Sequence, residues 1–317
     1  MAKLTNSSTS GTSFHGQVFS STVSELKEKL GEPQFSQNDG ADKVNFVTNV
    51  KDKSGNIMAN QNDVFLQKIA PTVLALYEYD SQDITNTIDL SCPSVAKISQ
   101  ENWCTPEVGD FVNQIYNYCD RNNIFECSAE FDNPAKTGGI LLRPGIFFKV
   151  YNNHYDTHIQ AIQELAKKPV HVPPLPDIGD LTIMYSGYFP DRDAQTIRIN
   201  LTGTATQLKA FAAMHGADVS IFDAIDVASV TTFAVIACDL TDNGFENLVL
   251  EMFTGGKMIP YYANNVWVQE TIAKHNADIE SALKDGQTFT TEICHFKTYL
   301  EPNNTRLKLY FLTIFPR

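Results

Sequence analysis

The 317-residue chain is poor in basic residues, with 24 Lys and Arg against 37 Asp and Glu, a formal charge of −13 and a pI near 4.9. No run of Lys and Arg occurs, which argues against wholesale binding to a phosphate backbone, because such binding needs clustered cations that displace counterions. No nucleic-acid partner is therefore expected. Six cysteines, at positions 92, 104, 119, 127, 238 and 294, include no CxxC pair. That excludes the usual zinc ribbon and dithiol redox motifs, which present two close thiolates, and leaves buried free thiols in a reducing compartment as the expectation. The longest apolar stretches, such as Thr232–Cys238 and Leu309–Phe315, are strand-sized. They are far short of the roughly 20 residues that a membrane-spanning helix needs, so no membrane association is expected. Met1-Ala2-Lys3 leads into polar residues rather than an apolar signal core, and the sequons at Asn6, Asn200 and Asn303 carry no weight without one. GxGxxG and GxSxG are also missing, and no repeat is evident at a period of 20–50 residues.

What the chain does contain is enough apolar material for ordinary cores: 43% hydrophobic residues, with 20 Phe and 12 Tyr but only two Trp. At this length two domains are expected, and the fold class is α+β, with mixed or antiparallel sheets and short packed helices. The division expected is a flexible arm over 1–12, an α+β domain over 13–168, a Pro-rich linker over 169–179 and a second α+β domain over 180–317. The linker is marked by Pro169, Pro173, Pro174 and Pro176, which stiffen an extended connector.

Local signals predict most elements. Ser13–Ser20 alternates as a strand, and Thr22 with Glu25 forms a capping box for a helix ending at Gly31-Glu32-Pro33. Lys43–Val50 reads as a strand, and Val64–Tyr79 as a helix or strand broken by Pro71. Thr105-Pro106 is an N-cap followed by proline at the first helical position, with Phe111, Val112, Ile115 and Cys119 on one face. Strands are predicted at 125–131, 140–142 and 146–151, and a helix over Tyr155–Lys168. Beyond the linker, Leu181–Phe189 pairs with Thr196–Thr202, Thr204 and Gln207 cap a helix carrying Leu208 and Phe211, and Thr231–Leu240 is a buried strand. Phe245, Leu248, Val249 and Met252 have helical spacing, as do Val268, Ile272, Ile279 and Leu283. A terminal hairpin sets Leu307, Leu309 and Phe311 against Arg306, Lys308 and Tyr310.

Candidate chemistry is thin. His154 and His158 are spaced i, i+4 and could present two imidazoles to one metal, but no third ligand is near, and a surface or capping pair is the plainer reading. Asp239–Gly244 has the oxygen spacing of a calcium loop but lacks the acid at its twelfth position, where Leu250 stands; Asp242 as a helix N-cap in a tight turn is the plainer reading. Thr254-Gly255-Gly256-Lys257 is followed by Met258 rather than Ser or Thr, so it reads as a helix C-cap, not a phosphate loop. Cys104 has no local partner, and Asp191 and Asp193 flank Arg192 as solvated charges. Accordingly no catalytic, cofactor-binding or metal-binding residue is assigned, and no cofactor is expected. The aromatic clusters at 77/79, 147/148/151, 185/188/189, 261/262 and 310/311/315 are expected mainly in the core, with interface contact as the alternative.

Gly11-Thr12-Ser13, Gly16, the helix Val23–Leu30, Gly31-Glu32-Pro33 and the strand Lys43–Val50 resemble the opening of a group of small, uncharacterised proteins encoded by tailed bacteriophages. The acidic strand and Trp-rich end of that group are missing. The resemblance implies phage or virus origin and no mechanism. Together these features lead to the expectation of a non-enzymatic virion or assembly protein, in the virion or host cytoplasm, whose partners are its own copies or other virion proteins. The alternatives are a metal-dependent hydrolase using His154 and His158, or a phage protein that binds and inhibits a host factor.

Overall fold

The computed structural model describes residues 74–82, 87–92, 106–122, 127–131, 143–149, 159–160, 162–164, 181–191, 197–241, 243–282 and 290–314. The expected arm, the elements over 13–50, the phage-like opening, Cys104, His154, His158 and the Pro-rich segment all lie outside these residues.

Ten strands close into one antiparallel barrel: β1 Leu74–Asp80, β2 Thr87–Cys92, β3 Cys127–Phe131, β4 Gly145–Lys149, β5 Thr182–Tyr188, β6 Ile197–Thr202, β7 Phe233–Thr241, β8 Gly244–Phe253, β9 Thr290–Tyr299 and β10 Leu307–Ile314. Each strand pairs with its neighbour in sequence, and β1 meets β10 to close the ring, with Tyr77 opposite Phe311 and Tyr79 opposite Leu309. Closure leaves none of the ten described strands at an edge, so among the described residues this sheet presents no free edge to template aggregation. The expected α+β class with antiparallel pairing is observed. The expected division at 169–179 falls between β4 and β5, which are hydrogen-bonded neighbours in register from Ile146/Tyr188 to Lys149/Tyr185. Strands from both sides of that segment therefore share one sheet.

Helices follow the hairpins: α1 Pro106–Arg121 lies between β2 and β3, α2 Ala205–Met214, α3 Ser220–Ala224 and α4 Val227–Val230 between β6 and β7, and α5 Val266–Ala282 between β8 and β9. Residues 159–160 and 162–164, between β4 and β5, are also helical. Hairpins thus begin at Leu74, Cys127, Thr182, Phe233 and Thr290, a spacing of 51 to 57 residues. The element order therefore repeats at a period slightly above 50 residues.

Local rules explain most elements. Thr204 accepts from the Gln207 N–H while Gln207 Oε1 accepts from the Thr204 N–H, a complete capping box. The face of α1 predicted from spacing is the face that packs, with Phe111, Val112, Ile115 and Cys119 buried. One prediction fails: residues 245–252 form β8, not a helix. Asn247 adopts a positive φ of 52° and the β7–β8 register shifts between Ala237 and Asp239. Phe245 and Leu248 consequently face the same way although three residues apart, after which Leu250 and Met252 alternate. A bulge in a strand has imitated a helical period. Strand β2 and the short helices α3 and α4 have no counterpart in the sequence-based expectation.

The main core lies between the outward face of the barrel and the helices. Ile197, Ile199 and Leu201 of β6, Ile236 and Cys238 of β7, Leu250 and Met252 of β8 and Leu309 and Phe311 of β10 pack there with Phe111, Ile115, Leu208, Phe211 and Val268. No described helix is long and apolar enough to cross a membrane.

Candidate functional site: the barrel lumen

Strand alternation sends every second residue inward. The inward positions form two smaller apolar groups, Val235, Phe253, Cys294, Tyr310 and Leu312 on one side and Phe147, Tyr185 and Phe189 on another, with Met184 touching both. Between them stand buried polar and charged side chains: Glu78, Asp80, Ser128, Asn200, Asp239, Glu251 and His295. Burying ionisable groups is costly unless they are paired, and here they are. Arg198 donates to Asp239 at 2.9 Å, Lys297 pairs with Glu251 at 2.6 Å, and Lys308 pairs with Glu78 at 2.7 Å. Asp80 receives Arg306 at 2.6 Å, lies 3.5 Å from Lys308, and accepts the Gln82 N–H.

The Arg198 guanidinium loses hydration in the lumen, yet the charge and hydrogen bonds of Asp239 outweigh that loss and hold its pKa above the ordinary value. Lys308 follows the same pattern: burial opposes its charge, while Glu78, then Tyr299 and Asp80, raise its pKa. For Asp80, burial works against ionisation, but the hydrogen bonds from Arg306 and Gln82 and the positive charge nearby hold its pKa low. All three groups therefore stay charged at neutral pH.

Aromatic rings complete the lining. His295 stacks on Tyr310 at 4.1 Å and packs at a tilt against Phe253 at 4.4 Å between ring centroids. The Lys297 ammonium sits 5.9 Å from the centre of the Tyr310 ring, and the Arg198 guanidinium 5.6 Å from that of Phe189. Tyr310 donates its hydroxyl to Glu78 at 2.5 Å while Lys308 holds the other carboxylate oxygen. Phenol, carboxylate and ammonium are thus joined in one hydrogen-bonded group on the lumen face.

Two glycines shape the opposite wall. A Cβ at Gly145 would fall 2.5 Å from the Phe189 ring, and one at Gly187 would fall 2.9 Å from the Phe147 ring. The two rings, in edge-to-face contact at 5.3 Å, therefore lie close against backbone where no other residue fits. Ser128, opposite Phe147 in the β3–β4 register, and Asn200, opposite Tyr185 in the β5–β6 register, flank this aromatic wall. Among the described residues, Ser128 Oγ and Asn200 Oδ1 have no hydrogen-bond partner, although the residues are only 4% and 6% exposed.

The candidates read from sequence fare differently. Asp239 accepts from Arg198 on the lumen face, and Asn247 Nδ2 donates to its other oxygen. Asp239–Gly244 spans the β7–β8 hairpin, and no cluster of three or more potential metal ligands occurs among the described residues. Thr254–Lys257 follows a strand, not a helix, with Gly255 and Gly256 at positive φ in the turn, so the expected C-cap is corrected along with β8. Asp191 accepts from both the backbone and the guanidinium of Arg143, which makes it a tie between neighbouring turns rather than a solvated charge. The described cysteines, 119, 127, 238 and 294, are free and buried, as expected. The lumen residues themselves were visible only as the polar halves of alternating strands, a pattern that ordinarily marks a face toward water.

No protein-family model matches the chain, and no curated protein is significantly similar in sequence. Among solved structures, the chain is similar to the crystal structure of AnaPT from Neosartorya fischeri, at 12% identity over 93% of this chain and 98% of that one, with a TM-score of 0.49. A likeness at that level assigns no function.

Proposed function

We propose that the protein binds a small, flat, largely apolar organic molecule inside the barrel. The observation that carries this reading is the pair of orphaned polar atoms, Ser128 Oγ and Asn200 Oδ1, buried beside an aromatic wall within a ten-stranded ring. A buried polar atom without a partner costs about 1–3 kcal/mol, so a ligand that satisfies it gains accordingly. Eight strands already enclose an interior that side chains fill or that holds one small ligand, and ten make a wider ring. Apolar walls with a few placed polar groups are the usual make-up of a small-molecule site.

The virion or assembly role expected from the sequence drew on aromatic side chains as contact surface. Of the aromatic clusters named above, the described members are buried apart from Tyr261. That favours the lumen over the surface as the working part. Light scattering and purification from particles test the assembly role separately.

The test of the lumen reading is a ligand-observed NMR screen of small planar compounds against the full chain and against Gly187→Leu. A leucine there drives the Phe147 ring inward. Hits that bind the native chain and are lost in a variant with an unchanged circular dichroism spectrum support the reading; hits that survive, or an empty screen, overturn it.

A further inference from the structure

The chemistry of the lumen also selects the charge of its ligand. Among the described residues that share the inward face by register the acids are Glu78, Asp80, Glu130, Asp239, Glu246, Glu251 and Glu292, and the cations are Arg198, Lys297 and Lys308. Arg306, at the hairpin end, adds a fourth positive charge. Each of these four is already in contact with a carboxylate. Arg198 additionally feels the charges of Glu251 and Glu130, so its positive charge is shared among three acids. An anion entering this space would find each described cation engaged and the balance negative. Carboxylate oxygens, by contrast, each carry two acceptor lone pairs and can take a further donor.

The orphaned atoms point the same way. Asn200 Oδ1 is an acceptor and Ser128 Oγ can accept as well as donate, so a ligand N–H or O–H would satisfy both. The walls beside them, Phe147, Tyr185 and Phe189, offer π faces, which attract positive charge and repel negative. The same preference is already visible inside the protein, where the Arg198 guanidinium lies over Phe189 and the Lys297 ammonium over Tyr310.

Building on the proposed lumen site, we infer that its ligand is a donor-bearing organic cation: a protonated amine on an aromatic body, with the ring on the Phe147–Tyr185–Phe189 wall and the ammonium toward Asn200 and Ser128. The probes are three molecules of one shape, 2-phenylethylammonium, 2-phenylethanol and 3-phenylpropionate, titrated at neutral pH into the full chain, Asn200→Leu, Asn200→Asp and Gly187→Leu. The ammonium should bind at least about tenfold more tightly than the carboxylate. Asn200→Leu should abolish that preference, Asn200→Asp should increase it, and Gly187→Leu should remove binding of all three. Equal affinities, or tighter binding of 3-phenylpropionate that is still lost in Gly187→Leu, would overturn the charge selection while leaving the lumen as a ligand site. Ammonium binding indifferent to all three substitutions, or no binding of any probe up to about 10 mM, would overturn both readings.

Discussion

The outward and inward faces of the barrel strands are both buried, yet they are built from different chemistry. On β10, Leu307, Leu309 and Phe311 face the helices while Lys308, Tyr310 and Leu312 face the lumen. On β8 the outward Leu248, Leu250 and Met252 alternate with Val249, Glu251 and Phe253. The outer face holds the fold together by close apolar packing, where loss of volume is what costs. The inner face holds charge in matched pairs, where loss of one partner is what costs. A strand can serve both ends because its period of two separates them completely.

That contrast can be broken most severely from the outside. Phe211 of α2 is fully buried and meets Phe245 edge to face at 5.3 Å. Phe211→Ala should destabilise the protein by about 3–5 kcal/mol, the usual cost of truncating a core aromatic. Urea denaturation would measure it, and a loss under about 1 kcal/mol would mean that helix packing does not carry the fold.

On the inside, identity of charge should matter more than volume. Lys297→Met leaves Glu251 buried without its 2.6 Å partner, and a cost of about 3 kcal/mol is expected. The double variant with Glu251→Met should recover most of that loss in the same denaturation experiment. If instead the two losses simply add, the pair is not the unit of stability on the inner face.

A titratable group on the outer side sharpens the comparison. His275 of α5 is fully buried, lies 2.9 Å from the Tyr79 hydroxyl through Nδ1 and stacks on Phe311 at 4.0 Å. Loss of hydration on burial, and then the nearby Lys274 charge, depress its pKa to about 3. The unfolded chain therefore binds a proton below about pH 6.5 while the folded chain does not, so stability falls as pH drops from that value toward 3. Between pH 7.5 and pH 5 the loss from this residue should be about 2 kcal/mol. His215, depressed by burial, adds a slope of the same sign. His275→Phe should remove the His275 share when stability is compared at the two pH values, and an unchanged slope would refute the assignment.

The smallest effect should come from the Thr204 cap, exposed at the start of α2. Thr204→Ala removes the side-chain acceptor for the Gln207 N–H and should cost about 1 kcal/mol, read as a modest drop in melting temperature. Binding in the lumen should be unaffected.

Much of this fold was legible residue by residue. The cap at Thr204, the apolar face of α1, the β5–β6 and β9–β10 pairings and the alternation of the final strand all follow from short-range chemistry, and each is observed. Residues 245–252 were misread because a bulge at Asn247 places outward residues three apart. The site was not legible at all. Glu78, Arg198, Asp239, Glu251, Lys297 and Lys308 come from six different strands, and no two of them form a motif in the sequence.

By itself, then, the sequence determined many of the described helices and strands and the apolar face of those it read correctly, such as α1, α2 and the final strand. It did so because capping, periodicity and turn chemistry act over a few residues. Only the tertiary structure decided that the polar faces of ten strands look into a closed ring instead of out to water. Ring closure depends on β1 finding β10 across more than 220 residues, with Lys308 meeting Glu78 and Arg306 meeting Asp80 at the seam. No local signal reports such a contact, and it is this contact that turns an ordinary solvated face into a lumen.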